Sequence, residues 1–185
     1  VPVWFVIGVL VTLSPEFGSA NALNVHGTII GGKAVMYHYI GASIGAFLTG
    51  ILSQYLKSRK RALLISLYSL ALTFAWYFLA NDVTDTVFYF ILFVMGIPNG
   101  YWSVFVTTAS EQFGTNLRAT ATTTIPNFVR GATVAVTSGF QYLKSGSIGV
   151  VGAGAMVGTI VIVLAIYSSY TIDESYHKDL DYLEV

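Results

Sequence analysis

Arg130 is the side chain in this sequence that demands most of its surroundings. It stands in an apolar stretch, twelve residues past Arg118, and so about 18 Å deeper along a helix rising 1.5 Å per residue. A lone arginine near the centre of a bilayer costs at least ~2.5–3.5 kcal/mol on insertion scales. It therefore needs a partner: Glu16, an anionic ligand, or carbonyls freed by Pro126. Thr120, Thr123 or Thr124, Asn127 and Arg130 recur at i, i+3/i+4, i+7 and i+10, which is one face of a helix. Hydroxyls, an amide and a guanidinium on one face suit the hydroxyl or carboxylate groups of a small polar solute. A second group, Asn99, Tyr101 and Trp102, surrounds the break Gly96-Ile97-Pro98-Asn99-Gly100. Pro98 frees a backbone carbonyl, and irregular backbone at membrane depth is tolerated only against protein or a wet cavity. These three side chains hydrogen-bond and stack. The two groups are expected to meet at one water-accessible cavity, with Glu16 within reach of Arg130.

Two further groups could carry protons. Glu16 follows Pro15 at an estimated depth of about 20 Å, where a carboxyl must be protonated, paired or wet. It reads as a proton-coupling or ligand-contacting acid, as half of a structural ion pair, or as a residue that a helix ending early leaves in an outer vestibule. His38 lies among Tyr37 and Tyr39 in the outer third of a span; it could shuttle a proton or be an interfacial group satisfied by a neighbour. A third cluster is charged: Gln54, Arg59, Lys60 and Arg61 in one polar turn, Glu111 and Arg118 flanking another. These are expected to form a cytoplasmic gate, with Glu111 and Arg118 near Arg59 to Arg61.

The elements that must position these groups follow from composition. Apolar residues make up 55% of the chain and charged residues 10%, against roughly 25% charged in soluble domains; the chain reads as an integral membrane protein with the lipid bilayer as its solvent. Net charge is zero, which argues against nucleic acid as a partner. With no cysteine there is no disulfide framework or thiolate chemistry, and neither a cofactor nor a metal is expected. Six segments approach the roughly 20 apolar residues a spanning helix needs, at roughly 2–23, 34–56, 62–80, 86–109, 118–141 and 148–170. Residues 1–170 are read as one six-helix bundle and 171–185 as a solvated acidic tail. Gly41 and Gly45, with Ala42, Ala46 and Gly50, form small-xxx-small ladders for close helix approach. Lys57, Arg59, Lys60, Arg61 and Arg118 place the turns near 57–61 and 110–117, and both termini, in the cytoplasm by the positive-inside rule. The opening Val1-Pro2-Val3-Trp4 carries neither an initiator Met nor a signal peptide and reads as the start of a piece of a longer protein.

Glu111-Gln-Phe113-Gly-Thr115-Asn-Leu-Arg118-Ala-Thr120 resembles the acidic-aromatic-x-Thr-x-x-Arg pattern that follows the tenth of twelve helices in the major facilitator superfamily. Gly50, Leu52, Ser53, Arg59 and Lys60 resemble that superfamily's cytoplasmic loop motif in its second copy, two spans earlier. Gln54 stands where the motif has Asp, and Tyr55 where it has its first Arg. The resemblance implies the C-terminal six-helix half of a secondary transporter, built as a 3+3 inverted repeat, all-α, in a plasma (inner) membrane. Its partners would be the missing N-terminal half, a small-molecule solute and protons. The solute would be polar or anionic, such as a sugar, sugar acid or carboxylate, and would move by alternating access. A membrane enzyme is disfavoured, because His26, His38 and His177 fall in three different places and no metal-ligand ladder exists. The remaining alternative is a six-helix pore or scaffold.

Overall fold

The computed structural model describes residues 1–176. Every regular element in that range is helical, and the only strand-like pairing there is the bridge between His26 and Thr84. In order they are α1 (Pro2–Phe5), a π-helical turn (Val6–Val11), α2 (Ser14–Phe17), α3 (Gly31–Tyr55), α4 (Arg59–Leu79), α5 (Asp85–Asn99), α6 (Trp102–Glu111), α7 (Thr115–Lys144) and α8 (Gly149–Thr171). Among the described residues, four helical stretches are long and apolar enough to cross a membrane: α3, α4, α5 continued by α6, and α8. The chain is thus an all-helical protein suited to a bilayer. Of the other two expected spans, α7 is long but carries the threonines, Asn127 and Arg130, and the first has only Pro2–Val11 as an apolar helix.

The first segment is not the single helix expected over 2–23. Its hydrogen bonding slips from i−4 to i−5 at Thr12, whose N–H and hydroxyl both donate to the Ile7 carbonyl. The Leu10 carbonyl accepts from the buried Tyr77 hydroxyl at 3.1 Å. The chain then kinks at Leu13, Pro15 brings no N–H, and the helix ends at Phe17. Residues 19–26 form a turn-rich loop that docks on the α4–α5 connection: His26 N donates to Val83 O and Asp85 N to His26 O. The sequence of that loop gives no signal of this docking, yet Asp82 accepts from Asn24 at 3.1 Å and lies 2.8 Å from His26 Nε2.

The closest packing joins α3 to α5. A Cβ on Gly41 would run into the Phe93 carbonyl, one on Gly45 into that of Ile97, and one on Gly96 into that of His38. One on Gly100 would strike the Ala46 amide nitrogen. Two glycine pairs, each four residues apart, therefore interlock backbone to backbone. Of the ladders expected on α3, Gly41, Gly45, Ala42 and Ala46 make this approach and Gly50 does not; their partner is the very segment that reads in sequence as a helix break. The rest of the core is aromatic. Gly154 and Gly158 of α8 admit Phe17 with Phe78 and Phe5 with Phe74, while Leu67, Leu70 and Tyr77 of α4 close it from the other side.

Candidate functional site

The polar face of α7 is exposed. Thr123, Asn127, Phe128 and Arg130 are open on the bundle surface, and Thr123, Thr124, Asn127, Phe128 and Gly131 line a shallow recess of about 430 Å³. Most of the polar groups are oriented locally: Thr123 Oγ1 donates to the Thr120 carbonyl at 3.0 Å, and Asn127 Nδ2 donates to the Thr123 carbonyl at 2.9 Å. That leaves Asn127 Oδ1 to accept from Arg130 at 3.3 Å. The Arg130 guanidinium carbon stands 4.9 Å from the ring centroid of Trp4, and Trp4 meets Trp102 edge-to-face at 5.8 Å. Cation–π contact with Trp is the strongest of its kind, so Trp4 shares the charge of Arg130 without neutralising it. Trp4 lies in a run that reads as plain apolar helix; an indole one turn from a helix start is its sole sequence signal.

Several expected partners are elsewhere. Glu16 pairs with Lys144 at the C-terminal end of α7 and not with Arg130. The early end of the first helix carries it away from mid-span, to a partly exposed position. Asn99 and Tyr101 do not join Trp102 at the α7 face. Asn99 is buried at the α3–α5 contact, where its Nδ2 donates to His38 Nε2 at 3.0 Å. His38 Nδ1 lies 3.3 Å from the Leu92 carbonyl, which matches an imidazole carrying its proton on Nδ1. His38 is fully buried and so is not an interfacial group. Tyr101 lines a separate apolar cavity of about 490 Å³ with Phe105, Val136 and Val161. The single cavity expected from sequence is thus resolved into an exposed cationic face, a buried His–Asn pair and an apolar crevice.

Of the expected gate residues, Arg59 and Glu111 meet directly. Glu111 and Arg59 form a two-point ion pair, Oε1 to the terminal guanidinium nitrogen at 3.1 Å and Oε2 to Nε at 3.3 Å. Their side chains are only 11% and 14% exposed. Arg59 also donates to Ser53 Oγ at 2.9 Å and stacks over the Tyr176 ring. Ser175 Oγ donates to Glu111 Oε2 at 2.7 Å. Gln54 Oε1 accepts from the Tyr176 hydroxyl, and Arg118 donates to the Phe113 carbonyl at 3.2 Å. Lys60 Nζ donates to the Tyr170 carbonyl at 2.7 Å, and Arg61 is exposed.

The described start of the tail, residues 173–176, packs against the bundle where a solvated segment is expected. The Glu174 carboxylate accepts from Ser58 Oγ and from the backbone N–H groups of Arg59 and Lys60, capping the N-terminus of α4. Its own partial burial would raise its pKa, but the hydrogen bonds from Ser58, Arg59, Tyr176 and Lys60 outweigh that and hold it below the ordinary carboxylate range. Glu174, Ser175 and Tyr176 are legible in the sequence only as acidic or polar tail residues. His177, with the remainder of the acidic tail, lies outside the described residues.

No protein-family model, curated protein or solved structure matches this chain.

Proposed function

We propose that the chain is the C-terminal six-helix half of a secondary transporter of the major facilitator type, a 3+3 inverted-repeat bundle in a plasma (inner) membrane with both termini cytoplasmic. It moves a small polar or anionic organic solute, such as a sugar, sugar acid or carboxylate, by alternating access coupled to protons. The observation that carries this reading is Arg130, held on the exposed polar face of α7 by Asn127 and Trp4. In a bilayer that face cannot lie against acyl chains, since a guanidinium, an amide and several hydroxyls would be stranded there. Facing a wet cavity shared with a second bundle, each is satisfied, and Arg130 is oriented to take a carboxylate or hydroxyl of the solute. The Arg59–Glu111 pair with residues 173–176 then acts as a cytoplasmic clasp whose closure favours one conformational state.

The test is uptake of radiolabelled sugars, sugar acids and carboxylates into cells expressing the protein, with and without a proton gradient. Saturable, gradient-driven uptake of one class, lost in Arg130→Ala and weakened in Arg130→Lys at unchanged membrane levels, supports the reading. A lysine is a point charge and cannot present a two-point fork. Unaltered uptake in Arg130→Ala, or an ohmic current in place of uptake, contradicts it.

A further inference from the structure

The geometry points to an anionic-phospholipid site at the seam where the N-terminal end of α4 meets the C-terminal end of α8. This goes beyond the transport reading and requires only that α4 and α8 cross a bilayer. On α4, Arg61, Ile65, Tyr68 and Leu72 are exposed and fall at i, i+4, i+7 and i+11, one continuous stripe with a cation at its head. Beside it, the Tyr68 hydroxyl meets that of Tyr170 on α8 at 2.9 Å, on the exposed surface. A bond between two phenols uses one of their two O–H groups as donor. The other O–H remains, and on a lipid-facing surface it has no water to meet. Helical side chains lean toward the helix N-terminus, so the Tyr68 ring points back toward the end of α4 that carries Lys60 and Arg61.

Among the described residues, the cations at that end keep donors to spare. Lys60 gives one of its three N–H groups to the Tyr170 carbonyl. The Arg61 guanidinium has no protein partner among the described residues and is exposed. The nearby carboxylate, Glu174, is committed to the helix cap and forms no ion pair with Lys60 or Arg61. A diacyl phospholipid fits these groups in order of depth: its phosphate against Lys60 and Arg61, an ester carbonyl on the free phenol, and an acyl chain along Ile65 and Leu72. A zwitterionic headgroup presents the same phosphate with a compensating cation and is disfavoured.

Competition by native mass spectrometry tests this, using the full chain in detergent with phosphatidylglycerol against phosphatidylcholine. The wild type is expected to retain phosphatidylglycerol selectively. Each cation near a membrane surface contributes about fivefold in affinity for anionic lipid, so the double substitution Lys60→Gln/Arg61→Gln should reduce the preference roughly 25-fold. Tyr68→Phe should reduce it further in that background, and Lys33→Gln, at the other end of the bundle, should leave it unchanged. A photoactivatable phosphatidylglycerol, cross-linked to the wild type, should label the Tyr68 and Tyr170 peptides, which keeps the test open if the double variant fails to fold. Equal retention of both lipids, an undiminished preference in the double variant, labelling confined to other helices, or full competition by glycerol 1-phosphate alone would overturn the assignment.

Discussion

Replacing Glu111 by Gln removes one charge from a pair that sequence alone places on an exposed turn. At an exposed site the change would cost ~0–1 kcal/mol. The structure places both side chains below 15% exposure, with two hydrogen bonds between them and a third to Glu111 from Ser175. Breaking a buried pair by removing one partner costs about 3–5 kcal/mol, because the other charge is left uncompensated. The amide oxygen introduced by Glu111→Gln remains an acceptor for Arg59 or Ser175, and Arg59 keeps Ser53 and the Tyr176 ring, so we expect about 2–3 kcal/mol, below that buried-pair range. For a chain of this size that corresponds to a melting-temperature loss of roughly 4–12 °C, read by intrinsic tryptophan fluorescence in detergent. A double-mutant cycle with Arg59→Gln isolates the pair and should return a coupling of about 2 kcal/mol. A coupling within about 0.5 kcal/mol of zero, the spread of independent sites, would refute the view that this pair holds the α3–α4 turn to α6.

Three other outcomes follow from the same structure. Glu16→Gln breaks the pair with Lys144, but with the carboxyl side chain 41% exposed the cost should stay within ~0–1 kcal/mol, checked by the same melting curve. Gly45→Ala should abolish the folded monodisperse species in size-exclusion chromatography, since its Cβ would meet the Ile97 carbonyl, whereas Gly50→Ala, which meets nothing within 4 Å, should elute as wild type. The Glu174 cap contributes stability above the unfolded carboxylate pKa and loses it as pH falls through the depressed folded value. Exchange protection of the Arg59 and Lys60 amides should therefore drop on acidification below the ordinary carboxylate pKa, and in Glu174→Gln it should be low and independent of pH.

Much of the helical layout is legible in the sequence because apolar runs and basic turns are long-range averages: the expected 34–56 and 62–80 spans agree with α3 and α4 to within a few residues. Local exceptions are not averages. The first helix stops at Phe17 because a π-turn and Pro15 act together, and Tyr77, more than sixty residues on, takes the freed carbonyl. Gly96 and Gly100 announce a break beside Pro98, yet their packing role depends on Gly41 and Gly45, some 55 residues earlier, which a periodicity argument on one helix does not reach. The same holds for the candidate site. Asn127 and Arg130 share a face by spacing alone, and Arg59 meets Glu111 as charge placement suggests. Trp4, Lys144 and Glu174 escape a sequence reading as partners because each contact is made across more than a hundred residues of sequence.

The central claim is that the polar face of α7 borders water in the membrane. The chain has no cysteine, so single cysteines can be placed along α7 without a background and labelled in intact membranes with an impermeant methanethiosulfonate. Labelling is expected at 123, 124, 127 and 131 with helical periodicity, and none at the buried positions Ala121 and Phe140. Uniform absence of labelling at 123, 124, 127 and 131, with labelling confined to the loop ends of α7, would contradict it.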